Sequence, residues 1–364
     1  MSERSGDCSR RHFLGSAAAL AGSATLTGSL LSSAAGAEEA SLVAHPPDGF
    51  TPLARRGYVV KVTMGDDLTA IMQPNQLWPR PEVARKMVEK ALTELTGEHD
   101  LPSALGRFVH KDDVVAVKVN GIAGQSGRTM ATNLETLLPI VEGLVALGVP
   151  ADAITLYEQF GAHMLGTRVT KSNLPKGVKL GIHGNVDARM RPIEIRRGIK
   201  TKFVRFLTEA TAVINVALLK DHSITGYTGC IKNIAQGSIT TPAEHHFNHG
   251  SPQIADTFAH PIVQSRMRLH LTDGFKMIYD EGPLDKNPRR RILHGAIYAS
   301  TDAVAMDMLG WSLVEKARAA NGLPTLAERG REPKYLKDAA ALELGEGDLD
   351  RVTVKEVSAE LDTD

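Results

Sequence analysis

The sequence of 364 residues contains little cysteine, no excess of charge of either sign and no long hydrophobic run. Its two cysteines are Cys8 and Cys230, and we expect Cys8 to be removed with an N-terminal signal. One remaining thiol cannot form an internal disulfide, a cysteine-ligated iron–sulfur cluster or a cysteine-rich zinc site. Any metal must therefore be held by histidine, carboxylate, a lone thiolate or a separate cofactor.

The charge balance is even, with 42 lysine and arginine residues against 42 aspartate and glutamate residues. A neutral chain has no general attraction for nucleic acid or for an anionic membrane surface. The length suffices for one large α/β domain or for two smaller ones. We therefore expect a small-molecule ligand and no nucleic acid partner.

The N-terminal segment is typical of a twin-arginine export signal. The run Ser-Arg-Arg-His-Phe-Leu-Gly at residues 9–15 precedes a weakly apolar stretch at 16–31 and the Ala-Gly-Ala pattern of a cleavage site at 35–37. A membrane anchor is the alternative, but the stretch is shorter than the roughly 20 residues of a spanning helix. We expect a signal peptide over 1–37, export to the periplasm by the twin-arginine translocase, and no stable membrane anchor after cleavage. This route carries folded proteins, so a cofactor-insertion partner is a further expectation.

Strand and helix patterns alternate along the rest of the chain, after a linker predicted at residues 38–57. The predicted strands are 58–64, 113–119, 153–157, 212–219, 268–271, 294–299 and 352–357, and the predicted helices are 81–95, 133–147, 201–210 and 302–319. This alternation predicts an α/β fold over residues 58–364, with a mostly parallel sheet flanked by helices. One domain and two α/β lobes with a cleft between them both fit the pattern.

The densest group of reactive side chains lies at residues 220–233, Lys-Asp-His-Ser-Ile-Thr-Gly-Tyr-Thr-Gly-Cys-Ile-Lys-Asn. It directly follows a predicted apolar strand, and α/β proteins build sites at the carboxyl ends of such strands. We expect His222 and Lys232 to be catalytic, with Lys232 and Asn233 in contact with a cofactor. Cys230 is interpreted as a small packed residue, with a soft metal ligand as the alternative.

A glycine-rich run, Asn-Gly-Ile-Ala-Gly-Gln-Ser-Gly-Arg-Thr, joins a predicted strand to a predicted helix at residues 120–129. Such a turn offers backbone N–H groups and a helix N-terminus to an anion, and a guanidinium adds a bidentate donor. Arg128 and Thr129 are therefore candidate cofactor contacts. The spacing fits neither the dinucleotide-binding fingerprint nor the P-loop, and a flexible loop is the alternative.

Two further candidates follow predicted strands. His163 lies just after the strand at 153–157, where it would act as an acid or base, although a lone histidine is more often structural. Asp273 follows the strand predicted to end at Leu271 and is a candidate for orienting a lysine or histidine.

Three histidines lie within five residues, at His245, His246 and His249, in a segment at 233–261 with little periodicity. Two of them could share one metal ion, whereas a solvent-exposed polar loop is the alternative. The spacing is not that of a zinc protease, because no His-Glu-x-x-His run is present.

The motifs, taken in order, resemble the family called domain of unknown function 362 over most of residues 58–320. They are Val-Lys-Val-Asn at 117–120, Leu-Lys-Asp-His at 219–222, Thr-Gly at 225–226, Cys-Ile-Lys-Asn at 230–233, Thr-Asp-Gly at 272–274, Gly-Pro at 282–283 and Ser-Thr-Asp-Ala-Val-Ala-Met-Asp at 300–307. The family name carries no activity.

The motif order is also similar, more distantly, to that of the lactate racemases, which use a nickel-pincer nucleotide. The positions that match their motifs are Arg128, His163, His222, Lys232 and one of His245, His246 and His249. The resemblance implies a metal- or metallo-cofactor-dependent isomerase or oxidoreductase, with a racemase-like or hydride-transfer-like site for a small oxygenated acid. It implies a lysine that carries the cofactor and a histidine that binds the metal. We expect His163 and His222 to be the general acid and base, because imidazole titrates near neutral pH, and Asp273 to orient the metal-bound histidine.

Two other classes of protein fit the same residues. A non-catalytic periplasmic metal- or ligand-binding protein needs the histidines but no acid and base pair. An accessory factor for an exported redox enzyme would bind a partner protein instead of its own cofactor.

Overall fold

The computed structural model describes residues 38–361, so the predicted signal peptide at 1–37 lies outside the described residues. By its internal contacts, the chain from Val43 onward forms one unit. Within the described range, no helix combines the length and the apolar character that crossing a membrane requires.

Strands and helices alternate along this unit. The strands are β1 (Tyr58–Thr63), β2 (Val115–Lys118), β3 (Ile154–Glu158), β4 (Lys179–Ile182), β5 (Ile193–Arg196), β6 (Ile199–Thr201), β7 (Ala212–His222), β8 (Gly226–Thr228), β9 (Met267–Ile278), β10 (Arg291–Ser300) and β11 (Thr353–Ser358). The α-helices after residue 80 are α1 (Pro81–Thr96), α2 (Leu101–Leu105), α3 (Leu134–Leu147), α4 (Gly161–Gly166), α5 (Arg205–Thr208), α6 (Cys230–Ala235), α7 (Gln253–Ala259), α8 (Pro261–Gln264), α9 (Ala303–Ala320) and α10 (Lys334–Ala341). Short 3₁₀ segments are Ile122–Gly127, Ala151–Ala153, Glu244–Gly250, Pro288–Arg290 and Leu349–Arg351.

One mixed sheet has the strand order β11-β1-β10-β9-β7-β2-β3-β4, with β8 paired to β7, while β5 and β6 form a separate antiparallel pair. The run from β9 through β7, β2 and β3 to β4 is parallel, whereas β10 is antiparallel to both of its neighbours. Helix α1 buries one apolar stripe, which includes Val83, Met87 and Leu92 at the spacing the sequence predicts. The prediction of an α/β fold with a mostly parallel sheet is confirmed.

The direction in which strands are added reverses at β2. From β2 the chain adds β3 and β4 on one side, and it then returns to place β7 on the other side. Because these strands are parallel, their carboxyl ends lie at the same edge of the sheet. Open α/β sheets bind ligands in the crevice outside the carboxyl ends at such a reversal.

Strand β9 is longer than its sequence predicts. It continues for twelve residues to Ile278, so the prediction that Asp273 follows the end of a strand is wrong. A carboxylate is tolerated inside the buried strand because Asp273 accepts hydrogen bonds from the backbone N–H of Asn133 (2.7 Å) and from its side-chain amide.

Two other segments differ from their sequence patterns. Of the helix predicted at 201–210, only α5 forms, because Phe203 pairs in an antiparallel bridge with Ile239. The segment at 233–261 is not one long loop, since α7 lies within it and α8 begins at its end. A helix of seven residues spans two turns, which is too short for a clear periodic signal.

Candidate functional site

A cleft of about 420 Å³ opens at the carboxyl ends of β2, β3 and β7. Five of the sequence candidates line it, namely His163, His222, Lys232, Asn233 and His246. The ionisable side chains that line it are Lys118, Glu158, His163, Lys220, His222, Lys232 and His246. The cleft therefore occupies the position that the reversal of strand order predicts.

An ion pair forms the floor of the cleft. Lys118, the last residue of β2, donates to Glu158 Oε2 at 2.7 Å, and both side chains are almost fully buried. Burial alone would raise the pKa of Glu158, but the charge of Lys118 and hydrogen bonds, including one from the Gln159 N–H, lower it to about 2. Burial lowers the pKa of Lys118, and Glu158 opposes that shift. A charge pair buried in this way holds both partners in place.

Two further lysines in the cleft lack a carboxylate partner among the described residues. Lys220, on β7, donates from Nζ to Asn120 Oδ1 at 2.8 Å, and burial together with the charge of Lys118 lowers its pKa to about 7. Burial, and then the charge of Lys220, lowers the pKa of Lys232 well below its usual value. Near neutral pH the cleft thus holds amines that bind protons weakly.

Asparagines hold Lys220 in position. The Asn120 amide donates to Asn233 Oδ1 at 3.0 Å, and the Asn233 amide donates to Asn215 Oδ1 at 2.8 Å. Because Asn120 donates with its nitrogen, its oxygen is left to accept from Lys220. Asn233 therefore lines the cleft and links the side chains of Asn120 and Asn215.

His222 is held in one neutral tautomer. Its Nδ1 accepts hydrogen bonds from the backbone N–H groups of Ile224 (3.1 Å) and Thr225 (3.2 Å). Its proton must therefore lie on Nε2, which makes that atom a donor. Burial, followed by the charge of Lys232, lowers the pKa of His222 well below its usual value.

His246 has the opposite arrangement. Its Nδ1 lies 2.9 Å from the carbonyl oxygen of Pro242, which can only accept, so Nδ1 carries the proton and Nε2 presents a lone pair. Burial, then the charge of Lys232, lowers the pKa of His246 to about 4. The rings of His222 and His246 stack with their centroids 5.3 Å apart.

Several polar atoms of the cleft walls are buried without a hydrogen-bond partner in the described part of the chain. They include His163 Nδ1, Thr228 Oγ1 and both amide atoms of Gln236. His163 Nδ1 lies 3.6 Å from Glu158 Oε1, which is within ion-pair range but too long for a hydrogen bond. Buried polar groups are normally satisfied, so these atoms indicate a place for a ligand or ordered water.

The glycines of the 120–129 run serve packing against the helix that carries His163. A Cβ on Gly121 would lie 1.9 Å from the carbonyl oxygen of His163, and one on Gly124 would lie 2.9 Å from Gly166 Cα. Only glycine permits this approach, which places α4 beside the end of β2.

Arg128, Thr129 and Asp273 do not line the cleft. Arg128 donates to the carbonyl oxygen of Gln125 at 3.2 Å, and Thr129 Oγ1 accepts from Arg291 at 3.1 Å. The N-terminus of α3, where the glycine-rich run predicts an anion, receives the carboxylate of Asp273. Asp273 is fully buried, and burial raises its pKa.

The structure separates the three clustered histidines, because Asn248 and His249 have positive φ angles that break the segment. His245 is buried with its Nδ1 on the carbonyl oxygen of Thr241, and His249 Nδ1 lies 2.9 Å from the carbonyl oxygen of Ile224. Only His246 lines the cleft. Over residues 38–361, no three histidine, cysteine, aspartate or glutamate side chains are grouped as a metal site would require.

Cys230 is a packed thiol at the start of α6. It is fully buried, and burial raises its pKa well above the usual value, so it is not a thiolate. Its backbone N–H and that of Ile231 donate to the carboxylate of Asp307 at 2.6 and 2.9 Å. Asp307 thus holds the helix on which Lys232 lies.

Lys118, Glu158 and Lys220 were missed by sequence reasoning as site residues. Their signal was present, because each is an ionisable residue at or near the end of an otherwise apolar strand. A lysine is rarely buried without a partner or a function, so this position alone favours a site.

The fold and the cleft define an α/β protein with a lysine- and histidine-lined site at the carboxyl ends of parallel strands. The chain belongs to the family described as Domain of unknown function (DUF362), whose model matches residues 115–312. This confirms the resemblance found in the motifs. No curated protein matches the sequence.

A solved structure with a similar fold is that of the lactate racemase apoprotein from Thermoanaerobacterium thermosaccharolyticum. It is 12% identical, with a TM-score of 0.41, and the match covers 64% of this chain and 55% of that chain. It is the enzyme family that the motif order resembles. A likeness of this size carries no information about activity.

Proposed function

We propose that this protein is an enzyme that binds a small oxygenated acid in the cleft and transfers a proton to and from it. The observation that carries this proposal is the opposite tautomer of two stacked histidines. His246 offers a lone pair at Nε2, and His222 offers a proton at Nε2. A base and an acid beside one ligand are the minimum that proton transfer requires.

The lysines supply the electrostatic part of the reaction. A carboxylate of the substrate would pair with Lys232 and Lys220, whose amines gain protons as the anion enters. The anion would also raise the pKa values of both histidines towards the neutral range in which imidazole transfers protons well. His246 Nε2 would take a proton from the substrate, while His222 Nε2–H and the lysines stabilise charge on the neighbouring oxygen.

A metal bound by protein side chains alone does not fit this cleft, since His246 is the only imidazole there with a free lone pair fixed by its hydrogen bonds. A cofactor that arrives assembled fits better, including one of the nickel-pincer kind that the motif order implies. In that case the uncharged amine of Lys232 would hold the cofactor's carbonyl or phosphate group instead of the substrate carboxylate. His246 Nε2 would then be a metal ligand instead of the base. Such a cofactor would supply a Lewis acid beside the substrate.

Exchange of substrate hydrogen with solvent tests the proposal. The full-length chain is expressed with its signal, purified after export, and incubated in D₂O with glycolate, lactate or malate. We expect loss of the α-proton signal by NMR, abolished by His246→Gln and by His222→Gln. His99→Gln is the matched control, because the side chain of His99 is 83% exposed and does not line the cleft.

The outcome separates the classes of protein. Binding of an acid without exchange would favour a non-catalytic binding protein and would refute the enzyme. Absence of both binding and exchange, with a stable protein partner in a pull-down, would favour an accessory factor.

We also propose that the protein acts in the periplasm after twin-arginine export. The support is the Arg-Arg pair and the Ala-Gly-Ala pattern in residues 1–37. Fractionation of cells that express the full-length chain should give a shortened protein in the periplasm. Replacement of Arg10 and Arg11 by lysine should leave an uncut chain in the cytoplasm; processing that persists in this variant would contradict the proposal.

A further inference from the structure

The fixed charges of the cleft are unevenly matched. Glu158 neutralises Lys118 at 2.7 Å, and the histidines that line the cleft supply no negative charge. Lys220 and Lys232 form no ion pair with any carboxylate between residues 38 and 361. With both amines protonated, the cleft carries two positive charges that no side chain of the described part neutralises.

Other buried donors line the same cleft as these two lysines. Thr228 Oγ1 and the Gln236 amide are buried, at 4% and 5% exposure, and neither has a hydrogen-bond partner within residues 38–361. His222 adds the proton on its Nε2. Buried donors without partners cost free energy in the empty protein, and an anion with several oxygens would satisfy them.

We propose that the cleft selects a small dianion, such as a dicarboxylate or a phosphorylated acid, over a monoanion of the same size. The inference rests on the proposed function, which makes the cleft the substrate site. A monoanion brings one negative charge to two amines, so one amine stays buried either as an uncompensated charge or in its neutral form. A dianion neutralises both and lets each make charge-assisted hydrogen bonds.

Calorimetric titration of the purified full-length protein at pH 7 tests this selectivity. The matched pair of probes is malate and 2-hydroxybutyrate, which have four carbons and a hydroxyl and differ by one carboxylate. Inorganic phosphate is the third probe, because it places the charge on one group. We expect malate or phosphate to bind about 10- to 100-fold more tightly than 2-hydroxybutyrate, the range for one hydrogen bond between charged groups.

Lys220→Met and Lys232→Met should each lower the ratio of the affinities for malate and 2-hydroxybutyrate to near one. Lys111→Met is the control, because Lys111 is 60% exposed and pairs with Asp112 on the surface. Its preference should equal that of the wild type. Thermal unfolding of each variant shows whether the fold is kept; the loss of a buried amine for a methionine of similar length should not prevent folding.

Tight binding of phosphate with weak binding of malate would support selection of a dianion, and it would show that the preferred ligand carries both charges on one group. Equal affinities for malate and 2-hydroxybutyrate would overturn the inference, and so would a preference that survives in both lysine variants, or no binding of any probe. Tight dianion binding without hydrogen exchange would refute the enzyme and leave the charge selectivity standing.

Discussion

The imidazole rings of His222 and His246 stack at 5.3 Å with 21° between their planes, and their hydrogen bonds give them opposite proton positions. Backbone groups enforce this arrangement, since two N–H donors face one Nδ1 and a carbonyl oxygen faces the other. The asymmetry therefore exists before any ligand binds, and it belongs to the chain's own fold.

The two tautomers can be observed directly. We expect long-range ¹H–¹⁵N correlation spectra to show His222 protonated at Nε2 and His246 protonated at Nδ1. Because burial and the charge of Lys232 lower both pKa values, neither ring should titrate between pH 5 and 8. His222→Gln and His246→Gln assign the signals. A shared tautomer, or a titration above pH 6 in the absence of ligand, would contradict the assignment.

The protonation of Lys220 should appear in the stability of the empty protein. Its folded pKa of about 7 lies below the usual lysine value of 10.5, so between these values the unfolded chain holds a proton that the folded chain lacks. The contribution of Lys220 to the free energy of unfolding of the wild type therefore rises with pH between about 7 and 10.5. Lys220→Met should be more stable than the wild type at pH 7, by on the order of a few kcal/mol, with the difference shrinking towards pH 10.

Urea denaturation at pH 7, 8.5 and 10 measures this difference, with Lys111→Met as the exposed control. A difference that does not change with pH would show that Lys220 does not titrate in this range.

Replacing one partner of the buried ion pair should lower the free energy of unfolding strongly, whereas replacing both partners should lower it little. Glu158→Gln leaves Lys118 as an uncompensated charge in the core, and we expect a loss of about 3–5 kcal/mol in the free energy of unfolding. The double variant Glu158→Gln, Lys118→Met should recover most of that loss. Chemical denaturation at pH 7 gives both values; a double variant no more stable than Glu158→Gln would mean that the two charges act independently.

Two glycines provide a matched test of how His163 is positioned. A Cβ on Gly121 would lie 1.9 Å from the carbonyl oxygen of His163, whereas a Cβ on Gly161, in the same helix as His163, meets nothing within 4 Å. Gly121→Ala should cost about 1–3 kcal/mol and weaken ligand binding, and Gly161→Ala should be close to neutral. Thermal unfolding and calorimetry compare them, and equal effects of the two substitutions would contradict the close approach.

The sequence predicts most strands and the edge of the sheet where the site lies, because buried strands have a local apolar signal. The length of β9 could not be predicted, because Asp273 is satisfied by Asn133, 140 positions earlier. A local pattern carries no information about such a distant partner.

Within the site, His222 and Lys232 could be recognised by the density of functional groups around them. The separation of the three clustered histidines, His245, His246 and His249, could not be predicted from the sequence. It depends on positive φ angles at Asn248 and His249. The proton positions of the histidines likewise follow from backbone groups whose approach only the folded chain defines.

The first strand of the sheet has a consequence for how the molecule is made. β1 lies between β10 and β11, which are the last two strands of the described chain. Both strands that pair with β1 therefore follow it by some 230 to 290 residues. On a ribosome, this strand emerges early and remains unpaired until nearly all of the polypeptide has been synthesised. The pairing of β1 with β10 and β11 is therefore a late step of folding. Until then β1 has two unpaired edges, and chaperones would bind the emerging chain.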